Sequence, residues 1–432
     1  MRFFVTASMT LLLMCVGCLP APRSPEGVTS ATGAKQPPPD YWPNEMSGAN
    51  SDDWIVENHD RIRVMRPKVL VLVFMNGWDD EVAYTEQMIK ALAESTRYHG
   101  YKDADAPAFL HYEVAKYVDL RDPPGTEPLE GNSSKYPALP DGERGFGRGF
   151  AYEELFGDTF AEYYGYEDPD TPGEYLELAE LIERGIVHEL WYFAYHTKRV
   201  GYETVEIKQY YDENLRKKDG VYGGAGNGHY EKMPWTGRSF RITWFNGKRG
   251  VGCGTENLGH ALEGMANYDF CPYYTKYFRE YAGFDLDARW GLPFQHFYRY
   301  SYKREDGDQN SFPQPDVLEW SWRDKSGTVE DYYAMGGNVH WTPAGRWHYD
   351  LENDQSVYST IEHYRCFDGP DGEDTKALWD NGKWTKCHYE DVAPDCMGRW
   401  LVYWRQNMPG LDNPCLDDDG KPMKNWWVFL FY

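Results

Sequence analysis

Val69-Leu70-Val71-Leu72-Val73-Phe74 is an unbroken apolar run rich in β-branched residues. A strand that is apolar on both faces must be covered on both, as in a parallel sheet packed between helices. The spacing then predicts a helix from about Glu81 to Glu94 and a second strand from Tyr112 to Val118, ended by Asp119. Thr171-Pro172 reads as a helix start, with helical spacing at Tyr175, Leu178, Ala179 and Ile182 and a stop at Gly185. Ile186 to Tyr195 and Ser239 to Phe245 read as further strands. Thr255 to Asn267 reads as a helix capped by Thr255, and a short strand is expected near Asn338-Val339-His340. This alternation predicts an α/β fold with a mainly parallel, Rossmann-like or flavodoxin-like sheet flanked by helices. A long irregular, disulfide-containing C-terminal part should follow.

The N-terminus has its own logic. Arg2 precedes a mostly apolar stretch, Phe3 to Val16, that is too short to span a bilayer. Cys15-Val16-Gly17-Cys18 resembles a bacterial lipobox, with Cys15 where leucine is usual. That resemblance implies a signal peptide over 1–18 and a lipid on Cys18, anchoring the protein to the cell envelope. Residues 19–51 are rich in Pro, Gly and Ser and are expected to form a disordered tether. A single large domain is then expected over 52–432. Six cysteines remain beyond Cys18, and an even number in an oxidising compartment predicts up to three disulfides, with Cys253–Cys271 the preferred pair.

Composition narrows the partners. A formal net charge of −25 repels phosphate backbones and argues against nucleic acid. The 35 Tyr, 20 Phe and 17 Trp either stack on sugar rings or build the core.

Ligands of open α/β sheets sit outside the carboxyl ends of the strands. Those ends deliver Asp79, Asp119, His196, Glu206, Asn246, Arg249 and His340. On the helix after the fourth strand, His260 and Glu263 share a face and reach one ligand together. They are candidates for an acid/base pair or for metal ligands, with His196 or His340 as the third donor to a catalytic zinc. Glycosidase chemistry needs two facing carboxyl groups, for which Asp79, Asp119, Glu206 and Glu263 are the candidates.

Several segments together resemble a group of bacterial exported proteins. They are Ile186-Val-His-Glu-Leu-Trp-Tyr-Phe, Gly237-Arg-Ser-Phe to Asn246, Arg249-Gly250-Val251-Gly252, Asn257-Leu-Gly-His-Ala-Leu-Glu263, Gly337-Asn-Val-His-Trp-Thr-Pro343, Tyr349-Asp350 and Asn425-Trp-Trp427. Lys248 and Ala261 depart from the group's pattern. The resemblance implies positions rather than an activity: Arg249, His260, Glu263, His340 and Asp350 fall in shared motifs. The first expectation is therefore an extracytoplasmic hydrolase acting on a glycan. The second is a non-catalytic lipoprotein that binds polysaccharide or another envelope component. The third is a metal-dependent peptidase or amidase.

Overall fold

The computed structural model describes residues 39–74, 81–120, 152–194, 204–226, 233–246, 249–299 and 309–432. Two short strands, β1 (Tyr41–Trp42) and β2 (Val64–Met65), pair in parallel ahead of the main sheet. That sheet contains β3 (Lys68–Val73), β4 (Glu113–Asp119), β5 (Glu189–Ala194), β6 (Thr204–Tyr211), β7 (Lys217–Gly226) and β8 (Phe240–Asn246). Its order is β4-β3-β5-β8-β6-β7.

Strand β3 explains its own composition. Val69, Val71 and Val73 enter one core, and Leu70 and Leu72 enter the other. The helices α1 (Asp53–Glu57), α2 (Glu81–Ser95), α3 (Asp158–Tyr164), α4 (Leu178–Glu183), α5 (Val251–Asn267), α6 (Pro272–Tyr281), α7 (Leu286–Trp290), α8 (Gly382–Thr385) and α9 (Gly398–Gln406) supply the cover. Residues of α2, α5, α6 and α9 fill the first core, and those of α3 and α4 fill the second.

The expected mainly parallel α/β sheet is corrected by the pairing. Strands β4, β3, β5 and β8 run parallel, but β6 is antiparallel to β8 and β7 is antiparallel to β6. Two further sheets are antiparallel throughout: β9 (Gln309–Gln314), β10 (Val317–Trp322) and β11 (Lys325–Val329), and β12 (Ser356–Ser359) with β13 (Ala377–Asp380). Of nine strand pairings among the described residues, five are antiparallel. The sheet is mixed because short connections replace crossovers. Nine residues separate β5 from β6, fewer than the dozen or so that a parallel crossover takes. A tight turn at Asp212, whose Oδ1 accepts from the backbones of Asn214 and Arg216, sends β7 straight back along β6.

The expected disulfides are also absent: all six described cysteines are free thiols. Cys253 lies in the first turn of α5 and Cys271 beyond its far end. At 1.5 Å per helical residue that separates them by roughly 20 Å or more. Two local readings change as well. Thr171-Pro172 sits in a turn, and α4 begins instead at a reciprocal cap between Glu177 and Glu180. Residues 39–51, expected in the tether, are packed, with Trp42, Ala49, Asn50 and Ser51 buried. Cys18 lies outside the described residues.

His188 fastens this N-terminal segment to the sheet. Its Nδ1 accepts from Lys68 N–H at 2.7 Å, and its Nε2 donates to Gly48 O at 2.7 Å. Only the neutral ring serves both bonds. Burial, which outweighs the Gly48 contact, holds it down at about 4. The unfolded chain titrates near 6.5. Between roughly pH 6.5 and 4 the unfolded state therefore binds the extra proton, and stability falls as pH falls, by up to about 1.4 kcal/mol per pH unit. Tm followed from pH 7 to 4 should drop less steeply in His188→Gln than in the wild type. Equal slopes would refute the assignment.

Candidate metal centre

Helix α5 follows directly on the carboxyl end of β8. Its apolar stripe, Leu258, Ala261, Leu262, Met265 and Ala266, is fully buried, but so is almost everything else on it. A helix enclosed on all sides needs small residues where backbones meet. A Cβ on Gly264 would overlap the backbone of Gly226 in β7, and one on Gly252 would overlap the carbonyl of Asp395. Asp395 also caps the helix from a distance, its Oδ1 accepting from Gly252 N–H at 3.0 Å. Gly264→Ala should therefore cost about 1–3 kcal/mol by overpacking, read as a lower Tm without loss of helical content.

The polar residues of α5 meet in this enclosed setting. Glu256, His260 and Glu263 occupy one face. The residues from Gly337 to Asp350 form an irregular loop over it, rather than the expected strand near His340. The indole N–H groups of Trp400 and Trp404 on α9 donate to the carbonyls of Asn338 and Gly337 at 3.2 and 2.9 Å. Val339 N–H donates to Glu263 Oε1 at 3.0 Å, tying the loop to the helix. Asp350 closes the loop, accepting from the Arg346 backbone at 3.1 Å and from its guanidinium at 2.7 and 3.2 Å.

Two imidazoles thereby converge on one carboxylate oxygen. His340 Nε2 lies 2.9 Å and His260 Nε2 lies 3.7 Å from Glu256 Oε1. The donor atoms of Glu256, His260 and His340 all lie within 4.8 Å of one another. Each ring is held from behind: His260 Nδ1 contacts Glu263 Oε2 at 3.0 Å, and His340 Nδ1 contacts His348 Nε2 at 2.9 Å. Tyr298 donates to Glu263 Oε1 at 2.7 Å. Tyr349 Oη stands 2.9 Å from Glu256 Oε1 and 2.8 Å from His340 Nε2. Arg249 Nη2 lies 3.6 Å from Glu256 Oε2 at the exposed edge.

The electrostatics follow from burial and pairing. Burial alone raises the Glu256 carboxyl, but contacts with His260 and His340 outweigh it and hold the group well below the usual range. Burial lowers His260, yet Glu256 and Glu263 on either side carry it up to about 10. Burial pushes His340 down and takes His348, with His340 beside it, down to about 3. The cluster thus holds positive charge between two carboxylates. His260, His340 and Glu256 are of the ligand types that bind zinc and related ions.

The remaining candidates from the sequence lie elsewhere. Glu206 is fully buried in β6 and paired with Arg241 at 3.2 Å. Asp119 is exposed at the end of β4. Asp79 and His196 lie outside the described residues, and Asn246 ends β8. Sequence reasoning missed Glu256, His348, Tyr298 and Tyr349. The signal for Glu256 was its i,i+4 spacing to His260. Starting the helix at Thr255 rather than Val251 placed Glu256 in the first turn, where acids are ordinary.

No protein-family model, curated protein or solved structure matches this chain.

Glu263→Gln tests the support of His260. It removes one charge of a buried pair and should cost about 3–5 kcal/mol. Chemical denaturation should show that loss in the midpoint, and a change within 0.5 kcal/mol would contradict the described packing.

Proposed function

We propose that this chain is a metal-dependent hydrolase of the peptidase or amidase class, with Glu256, His260 and His340 as the metal ligands. One observation carries the reading: both imidazoles turn Nε2 toward the same Glu256 oxygen while a second group holds each Nδ1. Metal-binding histidines are oriented in this way, by a partner on the far ring nitrogen. Two histidines and one carboxylate would leave a fourth coordination position, and a water bound there would be acidified enough to supply hydroxide near neutral pH. Arg249, at the solvent edge of the cluster, is placed to bind a substrate carboxylate or a developing oxyanion.

The two-carboxylate glycan mechanism has less support. A general acid needs a raised pKa and access to substrate. Glu263 is instead held low: burial opposes this, but His260 outweighs it. Glu206 is raised by burial but is fully enclosed. The aromatic density serves the core, where Trp42, Trp191, Trp379, Trp400, Trp404, Trp426 and Trp427 are all buried. We further propose that the enzyme works outside the cytoplasm, exported by its leader and held by a lipid on Cys18.

Elemental analysis of the purified protein should find about one zinc per chain. Glu256→Ala and His340→Ala should abolish stoichiometric binding, and Glu263→Ala should weaken it roughly 10–100-fold. Chelation should remove hydrolysis of peptide or amide substrates, and zinc should restore it. Iron in place of zinc would favour oxidative chemistry, since two histidines and a carboxylate also suit non-haem iron. No stoichiometric metal after metal-replete expression would refute the proposal.

A further inference from the structure

We propose that Tyr349 is a displaceable fourth ligand, its phenolate occupying the metal's remaining position at rest until the reacting water or a substrate oxygen takes its place. This inference rests on the metal reading above.

Geometry is the first support. Tetrahedral ligands about 2.0–2.1 Å from a zinc ion stand roughly 3.3 Å apart. The four donor atoms here include separations of 2.8 Å (Tyr349 Oη to His340 Nε2), 2.9 Å (Tyr349 Oη to Glu256 Oε1), 2.9 Å (His340 Nε2 to Glu256 Oε1) and 3.7 Å (His260 Nε2 to Glu256 Oε1). These values bracket the edge of such a tetrahedron. Tyr349 Oη thus lies within about 0.5 Å of that edge length from two of the three proposed ligand atoms, His340 Nε2 and Glu256 Oε1.

Proton counting is the second. Tyr349 Oη, His340 Nε2 and Glu256 Oε1 form a triangle with three short edges. Its corners carry at most two protons, one on the phenol and one on the imidazole, because the carboxylate only accepts. At most two edges are then served by a linear hydrogen bond. A cation among the three atoms satisfies all of them at once.

Backbone conformation is the third. Tyr349 has φ +62°, in the left-handed region that a bulky side chain rarely adopts. Such strain persists where surrounding contacts impose it and concentrates at functional sites. Here Tyr349 N–H donates to His340 O at 3.1 Å, and Leu351 N–H donates to Tyr349 O at 2.9 Å. The ring lies over His340, with centroids 4.1 Å apart.

Exposure supports displacement. Glu256 and His340 are each 7 % exposed, whereas Tyr349 is 39 % exposed. Of these groups the phenol is the one that reaches solvent, which gives it a direction in which to be displaced. On binding, the phenol O–H bond breaks, its proton passes to solvent and an oxygen–metal bond forms. When water or a substrate carbonyl or carboxylate oxygen replaces it, that bond breaks and the phenolate takes a proton from the incoming water or from solvent.

Copper(II) is the probe, because it binds nitrogen and oxygen donors more tightly than other divalent first-row metals. The metal-free full chain is given one equivalent of copper(II) and its visible spectrum recorded. A phenolate-to-copper charge-transfer band is expected. Tyr349→Phe should keep one bound copper and lose the band, whereas His340→Ala should lose both. Excess acetohydroxamate, an oxygen-donor ligand, should bleach the band without releasing copper. Copper bound without the band, or a band that survives in Tyr349→Phe, would overturn the role of Tyr349 and leave the metal site standing. A band unmoved by acetohydroxamate would overturn displaceability. Failure to bind stoichiometric copper would overturn both readings.

Discussion

Enclosure of α5 on every side is the constraint on which the rest of this structure depends. Strands β6, β7 and β8 and helices α2, α6 and α9 all pack against it. Glycine lets that happen at backbone distance: Gly252 meets Asp395, and Gly264 meets Gly226. Once the helix is surrounded, Glu256 and Glu263 have little water to face, at 7 and 5 % exposure. Buried charge is costly unless paired, and well-packed apolar residues often do as well or better for stability alone. Glu256, His260 and Glu263 in such a helix therefore call for a chemical explanation. Their convergence with His340 supplies one.

A second buried charge cluster shows what a structural use of the same groups looks like. Arg241 pairs with Glu189 and Glu206, and Tyr112 donates to Glu189 at 2.7 Å. Lys208 donates to the carbonyls of Phe429 and Leu430 at 3.3 and 3.0 Å, pinning the C-terminal segment beneath the sheet. These groups are all at most 5 % exposed. Burial raises Glu206 and takes Lys208 down to about 8, so perturbed titration alone does not mark a site. What separates the α5 cluster is its edge: Tyr349 and Arg249 reach solvent beside donor atoms of Glu256 and His340, residues that are buried.

Local periodicity made the early strands and α2 legible. The predicted helix over Glu81 to Glu94 corresponds to Glu81–Ser95, and the run Val69–Phe74 to Lys68–Val73. Strand direction was not legible, because the turn at Asp212 and the brevity of 195–203 decide it rather than the strands themselves. The hairpin of β6 and β7 has glycines at 220, 223, 224 and 226, so β7 shows neither the apolar run nor the β-branched enrichment that marks a strand. In the site, His260 and Glu263 were visible as a helical pair. Their roles were not, because a helical wheel cannot show that the face opposite the apolar stripe is also covered. His348 and Tyr349 sit in an irregular loop where no period exists to single them out.

The loop that carries His340 shows one use that this chain makes of tryptophan. A metal ligand on irregular backbone is placed accurately only if that backbone is held from outside. Trp400 and Trp404 stand one turn apart on α9, and both send indole N–H groups to successive loop carbonyls. Phenylalanine would keep a ring there but fill less of the space and leave both carbonyls without those donors. Tryptophan packs and aims at once. The aromatic composition thus serves the site through its scaffold: rings that fill the core also fix the loop of His340, and Tyr349 stands at that loop's exposed end.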